Sequence, residues 1–158
     1  MSDARALGAP HVPALIPFLN PLIRRLLGAG LPFGPNVLLT VRGRTSGVPR
    51  TVPVAMIELD GRRFIQSPFG EVNWVRNLRS AGEAVVSKGN LREDMTADEV
   101  PPEERGTILR ETLRPYLGSR FTAPVARWLF NLRADSTLDE YVAEARRHPM
   151  FELHARPG

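Results

Sequence analysis

Hydrophobic and polar residues follow a strand-like pattern through the middle of the chain. From residue 36 onward, short runs of aliphatic and β-branched residues alternate with turn residues, as is typical of buried strands. Asp60-Gly61 is a strong signal for a two-residue hairpin turn, and Gly89-Asn90 predicts another. The pattern therefore predicts an antiparallel meander whose five strands lie within residues 36–43, 50–59, 62–67 and 83–100.

Pro53 interrupts the second predicted strand. Because proline has no N–H to donate to a neighbouring strand, it belongs at a sheet edge or at a bulge. Backbone groups beside it are then free to bind something else, and a ligand is one candidate.

A short helix is predicted over residues 73–80, with Asn73 as its cap. Trp74, Asn77, Leu78 and Ala81 recur at helical spacing and define one stripe. Asn77 is the polar member of this stripe. Its amide must find hydrogen-bond partners, either in the nearby backbone or in a bound molecule.

The last third of the chain predicts three helices and a closing strand. The first helix begins at residues 101–104, and the second spans residues 125–132. The third is capped by Ser136 and ends before Pro149, and residues 150–155 form the strand. The apolar stripes of the first two helices consist of Ile108, Leu109, Leu113 and Tyr116, and of Val125, Trp128, Leu129 and Leu132. The whole pattern predicts one α+β domain, residues 36–158, whose strands close as a barrel.

Residues 1–35 form a separate apolar, amphipathic segment. Residues 13–33 are the most apolar of the chain, but prolines, glycines, Arg24 and Arg25 interrupt them, so they do not predict a membrane-spanning helix. A signal peptide is not indicated either, because a cluster of positive charge and a clear cleavage site are missing. The segment predicts either packing on the domain or attachment to a membrane surface.

Composition narrows the class of protein. The chain has 158 residues, 42% hydrophobic and 24% charged, as in an ordinary globular domain. It has no cysteine, which excludes disulfides and thiolate nucleophiles and favours the cytoplasm. The net charge of +4 comes almost entirely from arginine, since Lys88 is the only lysine. Nucleic acid is not indicated as a partner, because no basic stripe is interleaved with aromatics, and the acidic run of residues 93–104 predicts a solvated face.

Familiar catalytic motifs are missing. Residues 43–47 read Gly-x-x-Ser-Gly, which is neither a nucleophile elbow nor a phosphate-binding loop. His11, His148 and His154 have no metal-ligand spacing and are predicted at the surface or at helix ends, so no metal is expected. An enzyme of this composition would depend on a bound cofactor for its chemistry.

Two segments resemble a known family. LLTVRGRTSGVPRTVPV, residues 38–54, and SPFGEVNWVRNLRSAGEAVV, residues 67–86, are similar to the motifs of the deazaflavin-dependent nitroreductases, whose members use coenzyme F-420. The resemblance covers residues 36–86 and implies a split β-barrel related to FMN-binding folds, with helices flanking it at both ends. It also explains the arginine-rich hairpin tip, because the cofactor tail carries a phosphate and several carboxylates.

The resemblance implies a cofactor site drawn from four segments of this chain. Its residues are Arg44, Thr45, Ser46, Gly47, Arg50, Val52, Pro53, Val54, Gln66, Ser67, Pro68, Phe69, Asn73, Trp74 and Asn77. The first five belong to the tail side. The strand residues belong to the ring side, where Trp74 and Asn77 close the pocket. Ser67 is the catalytic candidate, as a donor to the ring or to the acceptor oxygen; the alternative is that it only starts the turn before Pro68.

The implied function is hydride transfer from reduced coenzyme F-420 to a small organic acceptor such as a quinone, an enone or a nitroaromatic. Two alternatives remain at this point: an FMN-binding flavoprotein of the same barrel, and a non-catalytic carrier of the cofactor or of a lipid. Tyr116, Phe121, Trp128 and Tyr141 are candidates for either the acceptor side or the core. The protein is predicted to be cytoplasmic, and the alternatives for residues 13–33 are packing on the domain and a peripheral contact with the inner face of the membrane.

Overall fold

The structure, a computed structural model, describes residues 36–157. Its strands are β1 Asn36–Arg42, β2 Pro49–Leu59, β3 Arg62–Gln66, β4 Glu83–Lys88, β5 Leu91–Glu99 and β6 Met150–Ala155. Its helices are α1 Asn73–Ala81, α2 Pro102–Gly118, α3 Ala123–Leu129 and α4 Leu138–Ala145. Residues 1–35, including His11 and the apolar stretch 13–33, lie outside the described residues, so the proposed division at residue 36 stays a prediction.

The six strands form a closed antiparallel barrel in the order β1-β2-β3-β6-β5-β4, with β4 pairing back onto β1. The predicted α+β barrel, its meander and its closing strand are thereby confirmed. The turn between β2 and β3 has Asp60 at φ 53° and Gly61 at φ 76°, which is the left-handed geometry that an Asp-Gly hairpin turn requires.

Side chains alternate across each strand, so the barrel has a filled interior and an outer face. Leu39 of β1, Val54 and Met56 of β2 and Ile65 of β3 belong to the interior cluster. Phe64, the neighbour of Ile65, points the other way into a second cluster. The outer face of β2 and β3 is thus apolar and needs a cover.

The last three helices provide that cover. Ile57 and Phe64 of the barrel share a buried cluster with Leu109 and Leu113 of α2 and Tyr141 of α4. Tyr141, whose role the sequence left open between core and acceptor side, is fully buried here. The helices therefore form a single layer on one side of the barrel.

The pairing of β2 is divided between two neighbours. Its first half pairs with β1, from Pro49 opposite Arg42 to Ala55 opposite Asn36, and its second half pairs with β3, from Met56 to Leu59. Pro53 lies opposite Leu38 in an unbroken register, in the half that has no β3 partner. The predicted edge position of Pro53 is confirmed, and no bulge is needed to accommodate it.

Two details of α1 differ from the prediction. The N-cap is Val72, without a side-chain cap bond, so Asn73 is the first helical residue. Val75 is buried with Leu78, whereas Ala81 is exposed. The predicted stripe was wrong at Ala81 because α1 lies over the end of the barrel and only its first two turns meet the interior.

The predicted stripe of α3 was wrong at Val125 and Trp128, whereas Leu129 packs on the buried cluster under the helices and Leu132 belongs to it. Val125 is 39% exposed and Trp128 64% exposed, whereas Ala123 and Ala126 are buried. Small residues face inward because α3 packs on α2, and alanine allows a close approach between helices. The large apolar residues that do reach the core, Phe130 and Leu132, follow the helix.

At α4, Thr137 rather than Ser136 is the N-cap, and its Oγ1 accepts the Glu140 N–H at 3.2 Å. Ser136 instead accepts the Arg133 N–H through Oγ, at 2.8 Å, in the preceding turn. The helix ends at Ala145, so His148 lies just beyond its end and not in its last turn, and it is 4% exposed. Of the two positions predicted for His148, the surface and a helix end, the structure shows the helix end.

Candidate functional site

The structure brings the sequence-predicted residues to one end of the barrel. Because neighbouring strands run in opposite directions, the tip between β1 and β2 lies at the same end as the carboxyl end of β3 and the turn that leads into α1. The predicted residues belong to the tip, to the first half of β2, to the β3 end and to α1.

The tip is shaped by its own backbone. The Gly43 N–H donates to Val48 O at 2.9 Å, the Gly47 N–H donates to Gly43 O at 2.9 Å, and Ser46 Oγ accepts the Val48 N–H at 3.1 Å. Gly47 has φ 72°, which favours glycine, and a Cβ on Gly43 would lie 2.8 Å from Ser46 Oγ. The two glycines therefore allow a compact turn, while Arg44, Thr45 and Ser46 are exposed around it.

Asn77 holds this tip to α1. Its Oδ1 accepts the Arg44 backbone N–H at 3.1 Å and an Arg44 guanidinium N–H at 2.7 Å. Asn77 is 6% exposed, so the amide has the partner that its burial demands. The sequence predicted either the nearby backbone or a ligand as the partner of this amide. In the structure the partner is Arg44, 33 positions earlier, through its backbone N–H and its guanidinium.

The charge of the tip is not neutralised by protein. Within residues 36–157, Arg42, Arg44 and Arg50 form no ion pair with a carboxylate, and all three are exposed. In contrast, Arg62 pairs with Glu152 and Arg79 pairs with Glu71. The tip arginines are thus available to an anion, which guanidinium groups bind through parallel hydrogen bonds.

The pairing between β2 and β3 ends beside the tip, and we call the unpaired stretch between them the gap. The two strands pair as far as Met56 opposite Ile65, and no pair follows. β3 stays on β6 through Gln66 opposite Met150, while the first half of β2 stays on β1. In the first half of β2, the backbone groups that face away from β1 are therefore left without a strand partner. A flat ligand with polar edges could bond to these groups.

Ser67 begins the turn on the β3 side of the gap. It is 1% exposed; its N–H donates to Pro149 O at 2.9 Å, and its hydroxyl donates to Gly70 O at 2.6 Å. The hydroxyl proton is therefore engaged within the turn. This contact fits the alternative that Ser67 is a turn residue, and its catalytic role stays a prediction.

Gln66 carries an unsatisfied acceptor. The residue is 7% exposed, and its Oε1 has no hydrogen-bond partner among the described residues. Such a buried acceptor costs about 1–3 kcal/mol when nothing donates to it. A donor from a bound molecule at the end of β3 would remove this cost.

Aromatic rings stand on both sides of the turn. Trp74 of α1 packs on the barrel interior, with its ring centroid 6.3 Å from that of Phe151. Phe69 meets Trp128 of α3 edge to face, also at 6.3 Å. Of the aromatic candidates in the last third of the chain, Trp128 thus lies beside a predicted site residue. Phe121 is 79% exposed, and Tyr116 packs against the buried cluster between the barrel and the helices.

A buried pair behind the turn was missed from the sequence. His148 Nε2 lies 2.8 Å from Glu144 Oε1, and His148 Nδ1 lies 3.2 Å from Ser67 O. Burial alone would raise the pKa of Glu144, but the hydrogen bonds from His148 and from the Asn131 N–H lower it below its ordinary value. The spacing of Glu144 and His148, four residues apart at a helix end, was the available signal.

A family model for the F420H(2)-dependent quinone reductases matches residues 24–127, more than half of the chain. The chain belongs to this family. As a member, it is an oxidoreductase whose cofactor is coenzyme F-420, as the resemblance in the sequence implied. No curated protein sequence matches it.

Solved structures agree on the fold of this family member. An F420-H2 dependent reductase is 22% identical, with a TM-score of 0.49, over 76% of this chain and 94% of that chain. A protein of unknown function from Agrobacterium tumefaciens is 19% identical, with a TM-score of 0.54, over 94% of this chain and 59% of that one. A candidate pyridoxamine 5′-phosphate oxidase from Listeria innocua is 11% identical, with a TM-score of 0.51, over 88% and 94% of the two chains. The last two show the shared split-barrel fold.

The described residues fit the family's cofactor. Unpaired arginines at the tip suit its anionic tail, and the gap beside β2, with the free Gln66 acceptor, suits a flat ring with N–H and C=O edges.

Two further features, a cluster of metal ligands and a membrane-spanning helix, are absent from the described part of the chain. No group of three or more metal-ligating side chains occurs within residues 36–157. Likewise, none of the described helices is long and apolar enough to cross a membrane.

Proposed function

We propose that this chain reduces a quinone-class acceptor with the reduced deazaflavin held at this end of the barrel. The observation that supports the location is the end of β2–β3 pairing at Met56 and Ile65, next to a tip with unpaired arginines. The ring lies along Val52, Pro53 and Val54, and the tail lies at Arg44, Ser46 and Arg50. Thr45 and Gly47 offer the backbone of the tip to the same tail.

The remaining predicted residues surround the ring in this proposal. Gln66 accepts a hydrogen bond from its polar edge, the turn of Ser67, Pro68 and Phe69 limits one side, and Trp74 limits another. Asn73 is exposed at the start of α1, and Asn77 acts through Arg44. Bound here, the reduced cofactor supplies a hydride. The protein orients it and excludes water, work that needs no nucleophilic side chain.

The acceptor side of the proposal rests on Trp128 and Phe69. Their edge-to-face contact joins α3 to the turn after β3, and Trp128 keeps 64% of its surface exposed. A flat quinone can pack on such rings at the open side of the site. The family name gives the acceptor class, and this aromatic pair is where the chain offers it a surface.

Purified full-length protein tests the proposal directly. Binding is followed by the fluorescence of oxidised coenzyme F-420, and turnover by the return of this fluorescence when reduced coenzyme is mixed with menadione. We expect saturable binding and quinone-dependent turnover. Binding of FMN in preference to the deazaflavin would contradict the proposal and favour the flavoprotein alternative, and binding without turnover of any acceptor would favour a carrier.

We also propose the peripheral membrane contact of residues 13–33, on the cytoplasmic face of the membrane. Its support is the sequence alone, an apolar stretch that contains Arg24 and Arg25. Full-length protein should sediment with anionic phosphatidylglycerol vesicles, and the double variant Arg24→Glu/Arg25→Glu should not. Equal sedimentation of both proteins, or none, would contradict the contact.

A further inference from the structure

The buried pair behind the Ser67 turn has a fixed proton arrangement. The Ser67 carbonyl can only accept, so His148 Nδ1, 3.2 Å away, must carry a hydrogen to bond it. His148 Nε2 and Glu144 Oε1 are 2.8 Å apart, which requires a second proton between them. The pair thus holds two protons and is neutral overall, as its burial favours.

Other contacts fix the pair in place. Glu144 Oε1 also accepts the Asn131 N–H at 3.1 Å, and the Phe130 ring lies 4.6 Å from the His148 ring. Arg147 contributes positive charge near Glu144, and the Arg105 guanidinium donates to Ala145 O at 2.7 Å. The imidazole is therefore held by helix α4, by the loop after α3 and by the turn itself.

Loss of one proton would break one of the two contacts. If His148 kept its hydrogen on Nδ1, two lone pairs would face each other across the 2.8 Å contact with Glu144. If the hydrogen moved to Nε2, a lone pair would face the Ser67 carbonyl. The position of the Ser67 backbone is thus linked to protonation of a pair that lies outside the proposed cofactor contacts.

We propose that His148 and Glu144 form a positioning pair that holds the Ser67–Gly70 turn in the form that receives the cofactor ring. Glu144 orients the imidazole, and Nδ1–H holds the Ser67 carbonyl, while Pro149 O holds the Ser67 N–H at 2.9 Å. Both backbone groups of Ser67 are thereby directed away from β2, and the gap stays open. This inference rests on the proposed function for the identity of the ligand, but the proton arrangement does not depend on it.

Two substitutions at one position separate the two contacts. His148→Asn places an amide N–H near the position of Nδ1 and keeps a donor for Ser67 O, but it cannot reach Glu144. His148→Gln places its amide near the position of Nε2 and keeps a donor for Glu144, but it leaves Ser67 O without one. We expect His148→Gln to weaken binding of coenzyme F-420 about tenfold, the value of one hydrogen bond, and His148→Asn to change it less than about threefold.

Leu153→Ala is the matched control for lost stability. Leu153 is buried in the barrel interior on β6, opposite Arg63 at the start of β3, so its truncation leaves a cavity away from Ser67 and from helix α4. It should lower the melting temperature and leave cofactor affinity unchanged. Equal affinities of the Asn and Gln variants, or a comparable loss of affinity in Leu153→Ala, would overturn the positioning role.

A second measurement uses the wild-type protein without cofactor. Nitrogen-15 NMR of the imidazoles reports which ring nitrogen is protonated, and the His148 signal is assigned by its absence in His148→Asn. A hydrogen on His148 Nδ1 at neutral pH is expected. An unprotonated Nδ1 would overturn the inference even if turnover with the reduced coenzyme is normal, whereas absent turnover with a protonated Nδ1 would count against the proposed function instead.

Discussion

Replacement of Arg50 by alanine tests the tail side of the site most directly. Arg50 is exposed at the start of β2, opposite Val41, and has no carboxylate partner in the described part of the chain. Its removal should therefore leave the free energy of unfolding unchanged. A hydrogen bond to a charged group contributes about 1.5–3 kcal/mol, so affinity for coenzyme F-420 should fall roughly 10- to 150-fold.

The assay is a fluorescence titration at low salt, with Arg92→Ala as the control. Arg92 is exposed near the start of β5, at the opposite end of the barrel, and its replacement removes the same charge. The difference between the two variants should shrink as salt screens the interaction. Arg44→Ala should lower both affinity and stability, because Arg44 also donates to Asn77.

Equal affinities of Arg50→Ala and Arg92→Ala would refute the reasoning. If both variants bound as tightly as the wild type, the tip would not hold the tail. If both lost the same affinity, the effect would be the net charge of the protein and not a contact at the tip.

Three further predictions concern stability. Gly106→Ala should lower the free energy of unfolding by about 1–3 kcal/mol, measured by urea unfolding, because the added Cβ meets the Val142 backbone at 2.8 Å; an unchanged value would show that α2 and α4 can separate freely. The lowered pKa of Glu144 contributes stability that is complete above the unfolded pKa of about 4.3 and is lost as the pH falls through the lower folded pKa. The free energy of unfolding of Glu144→Gln should therefore depend less steeply on pH in this window. Identical slopes for the variant and the wild type would contradict this. Ser67→Ala should lower the free energy of unfolding by about 1 kcal/mol through loss of the bond to Gly70 O; a fall in turnover with unchanged stability would support the catalytic role instead.

The strands were predictable because their signals are local. β-branched runs, the Asp60-Gly61 turn and the Gly89-Asn90 turn each act over a few residues, and all of them appear where the pattern placed them. The stripe of α3 was not predictable in the same way. Its small residues, Ala123 and Ala126, form the buried side, since what packs against a helix is decided by the rest of the fold.

The site divides along the same line. The arginines of the tip and the proline in β2 are visible in the sequence as departures from what a hairpin needs. The contacts that hold the site together are not visible in the sequence, because they join distant residues. Asn77 bonds Arg44 across 33 residues, and His148 bonds Ser67 across 81. Glu144 and His148 carried a local signal in their spacing, but nothing local indicated that the pair is buried behind the turn.

Helix α1 connects the two sides of the proposed site. Its Asn77 is bonded to the hairpin tip, and its Trp74 packs against the barrel interior, so one rigid element contacts both the tail side and the ring side. Arg79 near its end bonds both Glu71 before the helix and Glu99 of β5, which fixes the helix against the barrel. Hydride transfer depends steeply on the orientation of donor and acceptor. The protein can therefore control the reaction through how firmly this helix relates the tip to the gap between β2 and β3.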